Sequence, residues 1–410
     1  MSTPQVVPST ERLRERVAGS SRIQSVDAIR GAVMILMALD HIRDFINASA
    51  MQFSPTDLTR TTAAIFFTRW ITHFCAPLFA FTAGIGAFFW LRHDRTRAQL
   101  SRFLVSRGLW LMLLEVTLLR FILLLQIRWA GNLIILLVFW MLGLCMVLFA
   151  ALIHIPVRWL AALSIIGIAT HNLFDRVSSA QLGSWAWLWN ILHQQGVFPL
   201  AGANVLAAYP LIPWVFVMSA GFCFGPVLRW EPVRRRRFMV RLGLALTIAF
   251  VLLRFVNVYG DPVRWAVQRS PLFTLLSFLN CTKYPPSLLF LLMTLGPAFL
   301  VMAWWDGRHF AEHNPLIVFG RVPFLYYVVH LAVIHAIAIG LELLRYGKTP
   351  FTFLPPPSLG GPRELFPPNF GYSLGMVYLV WITVIVIMYP ICRRYADLKR
   401  RGRDWWLSYL

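Results

Sequence analysis

One apolar segment, SVDAIRGAVMILMALDHIRDF at 25–45, holds six ionisable side chains: Asp27, Arg30, Asp40, His41, Arg43 and Asp44. Ionisable groups inside a membrane span are costly and face a cavity or a partner. Arg30 and His41 are eleven residues apart. On a helix this is about three turns and about 16 Å, so both lie on one stripe. Met34 and Met37 lie between them, and Asp40 points toward a neighbouring helix. A cation at one end and a titratable base at the other suggest a site spanning much of the membrane. The competing structural readings are that Arg30 snorkels to headgroups and that His41 is a hydrogen-bonded structural histidine. Neither explains two further carboxylates so close to His41.

Other candidates are scattered along the chain. Arg69 and His73, in RWITHFCAPLFAFTAG, are four apart and share a helix face. Gly84 and Gly86 suit close helix packing. Glu115 lies mid-span with Arg120 following, which reads as a structural ion pair. Asn280 and Lys283 stand at the mouth of a span, where an acceptor could bind. His330 and His335 are five apart and do not share a face. No metal is expected, because no metal-ligand spacing occurs and HExxH is absent.

The elements that must position these groups are transmembrane helices. Of 410 residues, 58% are hydrophobic and 13% charged, against about 25% charged in soluble domains. Runs of roughly 20 apolar residues recur near 28–46, 64–90, 103–125, 131–153, 157–173, 204–228, 239–258, 285–305, 315–344 and 373–391. The spacing predicts an all-α bundle of about ten spans, the ninth broken near Pro323. Residues 174–203, with Trp185, Trp187 and Trp189, read as an interfacial segment. The excess of 38 Lys and Arg over 17 Asp and Glu sits in short segments between apolar runs. That is the mark of loops facing anionic headgroups, not of nucleic-acid binding. The basic clusters are Arg12–Arg22, 91–107, 229–241 and Arg393–Arg403. An even span number puts all four on the cytoplasmic side, with Arg30 near the cytoplasm and His41 deep toward the outer half. The organisation expected is a basic N-terminal tail at 1–27, a transmembrane domain at 28–392 and a basic C-terminal tail at 393–410. The five cysteines contain no C-x-x-C pair and imply no disulfide framework.

Arg30, ten residues, then His41 resembles the Arg-x10-His signature of the acyltransferase 3 family. SVDAIRG, YPLIPWVFVMSAGFCFG at 209–225, KYPPSLLFLLMTLG at 283–296 and FGRVPFLYYVVH at 319–330 resemble the heparan-α-glucosaminide N-acetyltransferase catalytic-domain family, in its bacterial branch. The two belong to one superfamily of transmembrane acyltransferases. The resemblance implies transfer of an acetyl or acyl group from cytoplasmic acyl-CoA to a hydroxyl or amine of a glycan or other membrane-proximal acceptor at the outer face. On that reading Arg30, with Asp27, Arg92 and Arg95, belongs to the donor end. His41 is the general base, with Asp40 or Asp44 supporting it. His73, Arg69, Lys283 and His330 are candidates for the acceptor side. In the lysosomal branch the proposed catalytic histidine follows the first span, yet residues 47–63 contain no histidine here. Either His41 takes that role, as in the acyltransferase 3 pattern, or another histidine does, and direct transfer is expected in preference to an acyl-histidine.

The expected partners are membrane lipid and the acceptor, with room for a homo-oligomer, and the expected location is a bacterial inner membrane. A second class of function fits the same cluster: a transporter using intramembrane His, Asp and Arg as a proton or substrate relay. It would favour inverted repeats, and none stands out. A scaffold without chemistry leaves the cost of the buried charges unexplained.

Overall fold

A computed structural model describes residues 23–92, 95–126, 129, 131–347 and 354–401. Arg12, Arg14, Arg16, Arg22 and Arg403 lie outside the described residues. The chain is mainly helical. Its helices are α1 (Gln24–Ile46), α2 (Ala63–Trp70), α3 (Cys75–Leu91), α4 (Arg97–Leu114), α5 (Arg120–Leu124), α6 (Val138–Leu152), α7 (Val157–Thr170) and α8 (Ala186–Leu192). They continue with α9 (Trp214–Phe224), α10 (Pro232–Val256), α11 (Pro271–Leu279), α12 (Leu288–Trp305), α13 (Pro315–Arg321), α14 (Pro323–Tyr346) and α15 (Leu374–Arg401).

Six helical segments are long and apolar enough to cross a bilayer: 63–91, 157–176, 232–256, 288–305, 323–346 and 374–401. The remaining expected spans fall on helices of other kinds. α1 carries the six ionisable groups and α4 carries Arg97, Arg102 and Arg107, while α6 and α9 are short. Composition read along the chain counts every apolar run alike, whereas length and charge separate these two groups. Ile165, Phe255, Leu344 and Val386 are mostly exposed, as expected for lipid-facing helix surfaces.

The sequence signals of the ends are used. Thr96 and Gln99 form a capping box on α4, Ser287 caps α12, and Asn314 caps α13. The break expected at Pro323 is present: α13 stops at Arg321 and α14 restarts at Pro323. The all-α expectation is corrected at one place. β1 (Leu133–Leu136), β2 (Gly196–Leu200) and β3 (Ala203–Ala207) form a small sheet of order β1-β3-β2, parallel between β1 and β3 and antiparallel between β2 and β3. These segments are too short to span, and pairing satisfies their backbone groups instead. The 174–203 segment accordingly contains short helical turns, α8 and β2, with Trp185 and Trp187 exposed.

α1 is the centre of the bundle and packs against α3, α12, α13, α14 and α15. Its approach to α13 depends on glycine. A Cβ on Gly31 would stand 1.9 Å from the Leu316 carbonyl oxygen, and one on Gly320 would stand 1.9 Å from that of Asp27. α3 and α9 meet in the same way through Gly84 and Gly221. Gly84 thus has the packing role expected of it. Gly86 instead faces the Arg30 guanidinium. Trp381 of α15 donates its indole N–H to the Ile35 carbonyl at 2.8 Å, tying another helix to α1.

Candidate active site

The site is assembled on the C-terminal half of α1 and on the helices around it. Asp40 points away from His41, as the helical phase requires. Its carboxylate accepts from Arg69 Nη1 at 2.9 and 2.8 Å. It also meets Arg43 Nη2 at 3.0 Å, and Lys283 Nζ stands 3.7 Å away. Asp44 pairs with the same Arg43 nitrogen. Both carboxylates are therefore engaged with cations. Among the described residues neither is hydrogen-bonded to the His41 ring.

Arg69 reaches Asp40 because α2 ends there, and the chain passes into a tight 3-10 turn over Ile71–Phe74. Arg69 Nη1 also donates to Thr72 Oγ1 at 3.2 Å. His73, on that turn, is buried against Phe290 and its Nδ1 has no partner. Arg69 and His73 therefore do not act as one face. Lys283 is brought in by a loop held from below. Arg254 donates to the carbonyls of Val263, Ser277, Phe278 and Asn280. Asp261 accepts from Thr282 N–H and Oγ1 and from Ser287 Oγ. The hydroxyls of Tyr284 and Tyr209 are 3.2 Å apart beside this cluster.

His41 turns to aromatic neighbours. Its ring lies 5.3 Å from that of His330 and 6.1 Å from that of Tyr327. His330 Nδ1 is 2.8 Å from the Tyr326 carbonyl. That contact puts a proton on Nδ1, and Nε2 is buried without a partner. The structure thus brings together His41 and His330, which lie 289 positions apart. His335 is elsewhere, against the Ile122 carbonyl.

Neither histidine lines the nearby cavity of about 220 Å³, but Tyr327 does, and its ring is 6.1 Å from that of His41 and 5.6 Å from that of His330. Arg30, Arg107 and Thr82 supply polar lining, Met34, Phe79, Leu111, Leu142 and Met146 the apolar walls, and Tyr327 is a lining residue. Arg30 also donates to the Thr82 carbonyl and pairs with Asp27 at 3.4 Å. Arg92 and Arg95, expected at the donor end, do not line it: both are exposed, and Arg95 stacks on Trp90 at 4.1 Å. Arg107, the last of the same basic run, takes that place because it sits nearly three turns inside α4, at about 3.6 residues per turn. Glu115 accepts from the backbone N–H groups of Phe139 and Trp140 at 2.9 and 3.2 Å. It caps α6, which corrects the ion-pair reading. Among the described residues no group of three His, Cys, Asp or Glu side chains is placed to hold a metal ion.

A bundle of apolar helices, six of them long and apolar enough to cross a bilayer, around one charged, histidine-bearing helix defines an integral membrane protein. The family model for the heparan-alpha-glucosaminide N-acetyltransferase catalytic domain matches residues 22–255, and the chain belongs to that family of membrane acetyltransferases. No curated protein matches the chain. The match contains Asp27, Arg30, Asp40, His41, Asp44, Arg69 and His73; Lys283 and His330 lie beyond it.

Proposed function

We propose that the protein moves an acetyl group from cytoplasmic acetyl-CoA, or a related acyl-CoA, to an amine or hydroxyl of a glycan or other acceptor at the outer face. The observation that carries this reading is the cavity: one lining shared by Arg30 and Arg107 and by Tyr327, whose ring is the neighbour of His41. Arg30 and Arg107 suit the CoA phosphates, since guanidinium groups recognise phosphate through paired N–H donors. The apolar walls suit the pantetheine arm, and the thioester would lie near Tyr327. In this scheme ten spans place both basic tails, 1–27 and 393–410, in the cytoplasm of a bacterial cell.

His41 removes the proton as the acceptor nitrogen or oxygen attacks the thioester carbonyl. The carbon–sulfur bond breaks, and CoA leaves as a thiolate that regains a proton from the His41 imidazolium. In this scheme His330, whose ring centroid is 5.3 Å from that of His41, shares that proton. Asp40 and Asp44 act on His41 through charge, since their oxygens are held by Arg43 and Arg69. The transporter reading shares the buried charges but gives no role to a largely apolar cavity lined by two arginines. The test uses proteoliposomes with labelled acetyl-CoA outside and a hexosamine inside. Acetylated sugar within the lumen, without luminal CoA, is the expected result. Intact acetyl-CoA or free sugar crossing the membrane would establish transport instead.

A further inference from the structure

We propose that the cationic cluster around Asp40 is an anion subsite that takes a carboxylate or phosphate borne by the acceptor. This rests on the acyl-transfer reading for the word acceptor, but the binding itself does not. Asp40 and Asp44 carry two negative charges, and Arg43, Arg69 and Lys283 carry three positive ones. Side-chain exposure across the five runs only from 5% to 15%. The cluster therefore holds one buried positive charge in excess, in an environment that favours pairing every ion.

The donor groups give the same answer independently. Arg43 uses one nitrogen, Nη2, for both carboxylates, while its Nε and Nη1 are buried without partners. Lys283 has three N–H donors, yet its nearest carboxylate oxygen is 3.7 Å away and its other neighbour is the Tyr284 ring at 5.2 Å. Both side chains are more than nine-tenths buried. Asp40, Asp44 and Arg69 are slightly more open, at 14%, 15% and 12%. An anion with two or three oxygens would meet the unused donors and cancel the excess charge. An acceptor so bound would lie beside the helix turn that carries His41, with its nucleophile separate from its anionic group. Selection then favours an amino sugar bearing a phosphate or carboxylate over a neutral one.

The experiment uses the full chain in lipid nanodiscs with saturating CoA, which occupies the donor end. Melting is followed against sodium phosphate, sodium acetate and sodium chloride at matched ionic strength. Phosphate or acetate is expected to raise the wild-type melting temperature above chloride, and the stronger of the two identifies the anion class. Lys283→Gln, which removes the charge and leaves a polar side chain one atom shorter, should weaken that anion by about tenfold or more. Lys283→Arg should retain it, and shows that position 283 tolerates exchange if the glutamine variant fails to fold. In transfer assays on wild type, glucosamine 6-phosphate or muramic acid should show a KM at least about tenfold below that of glucosamine. Equal effects of all three salts, undiminished anion binding in Lys283→Gln, or equal KM values would each overturn the subsite. Absence of any CoA effect would instead remove the transfer reading, leaving the anion result to stand by itself.

Discussion

Asp40→Asn tests the electrostatic architecture most sharply. The wild-type carboxylate faces three cations, with Arg69 and Arg43 oxygen–nitrogen distances of 2.8 and 3.0 Å and Lys283 at 3.7 Å. Substitution leaves the shape nearly unchanged but raises the excess charge of the cluster from one to two. Removing one partner of a buried pair costs about 3–5 kcal/mol. Asn keeps one neutral acceptor for Arg69, so the lower end, about 3 kcal/mol, is expected. The double variant Asp40→Asn/Arg69→Gln returns the excess to one. It should therefore be destabilised by less than the sum of the single changes, with a coupling of about 1–3 kcal/mol. The assay is reversible unfolding in mixed micelles, with all four proteins in the cycle. A loss below about 0.5 kcal/mol for Asp40→Asn, the range of uninvolved surface positions, or additive single effects would refute the cluster as described.

Three further outcomes follow from the geometry. Arg30→Ala and Arg107→Ala should each raise the KM for donor with a smaller change in kcat, and CoA should stabilise the wild type more at low salt than at high; steady-state kinetics and melting curves measure these. Gly31→Ala should destabilise by at least about 1–3 kcal/mol, the cost of overpacking, because its Cβ would strike the Leu316 carbonyl; an unfolding curve like that of wild type would contradict the α1–α13 contact. Reporter fusions at residues 98 and 190 should report opposite membrane sides, and the same side for both would contradict the ten-span arrangement.

The parts of the site written along one helix were legible in the sequence. Helical phase alone separates Asp40 from His41 and sends it to a neighbour, and the structure supplies Arg69 as that neighbour. Pro323 marked its break because it cannot extend the preceding helix. Contacts between distant segments left no such trace. Nothing in the spacing ties His330 to His41, or Lys283 to Asp40, since neither pair shares an element. Arg107 stood in a basic run whose members look alike in sequence; only its depth inside α4 distinguishes it from Arg92 and Arg95. Arg43 and the two tyrosines were similarly indistinct, because their importance comes from what packs against them. The small sheet was missed because its strands are short apolar runs, which periodicity cannot tell from helix.

The central claim is that His41 takes the acceptor's proton. It is tested most directly by acyl transfer from acetyl-CoA in proteoliposomes, comparing wild type with His41→Gln at equal folded protein and saturating donor. The amide can hydrogen-bond but cannot accept the proton, so kcat should fall by about 10²–10⁴-fold while CoA still stabilises the variant. A His41→Gln protein that transfers at a rate near that of wild type would contradict the account.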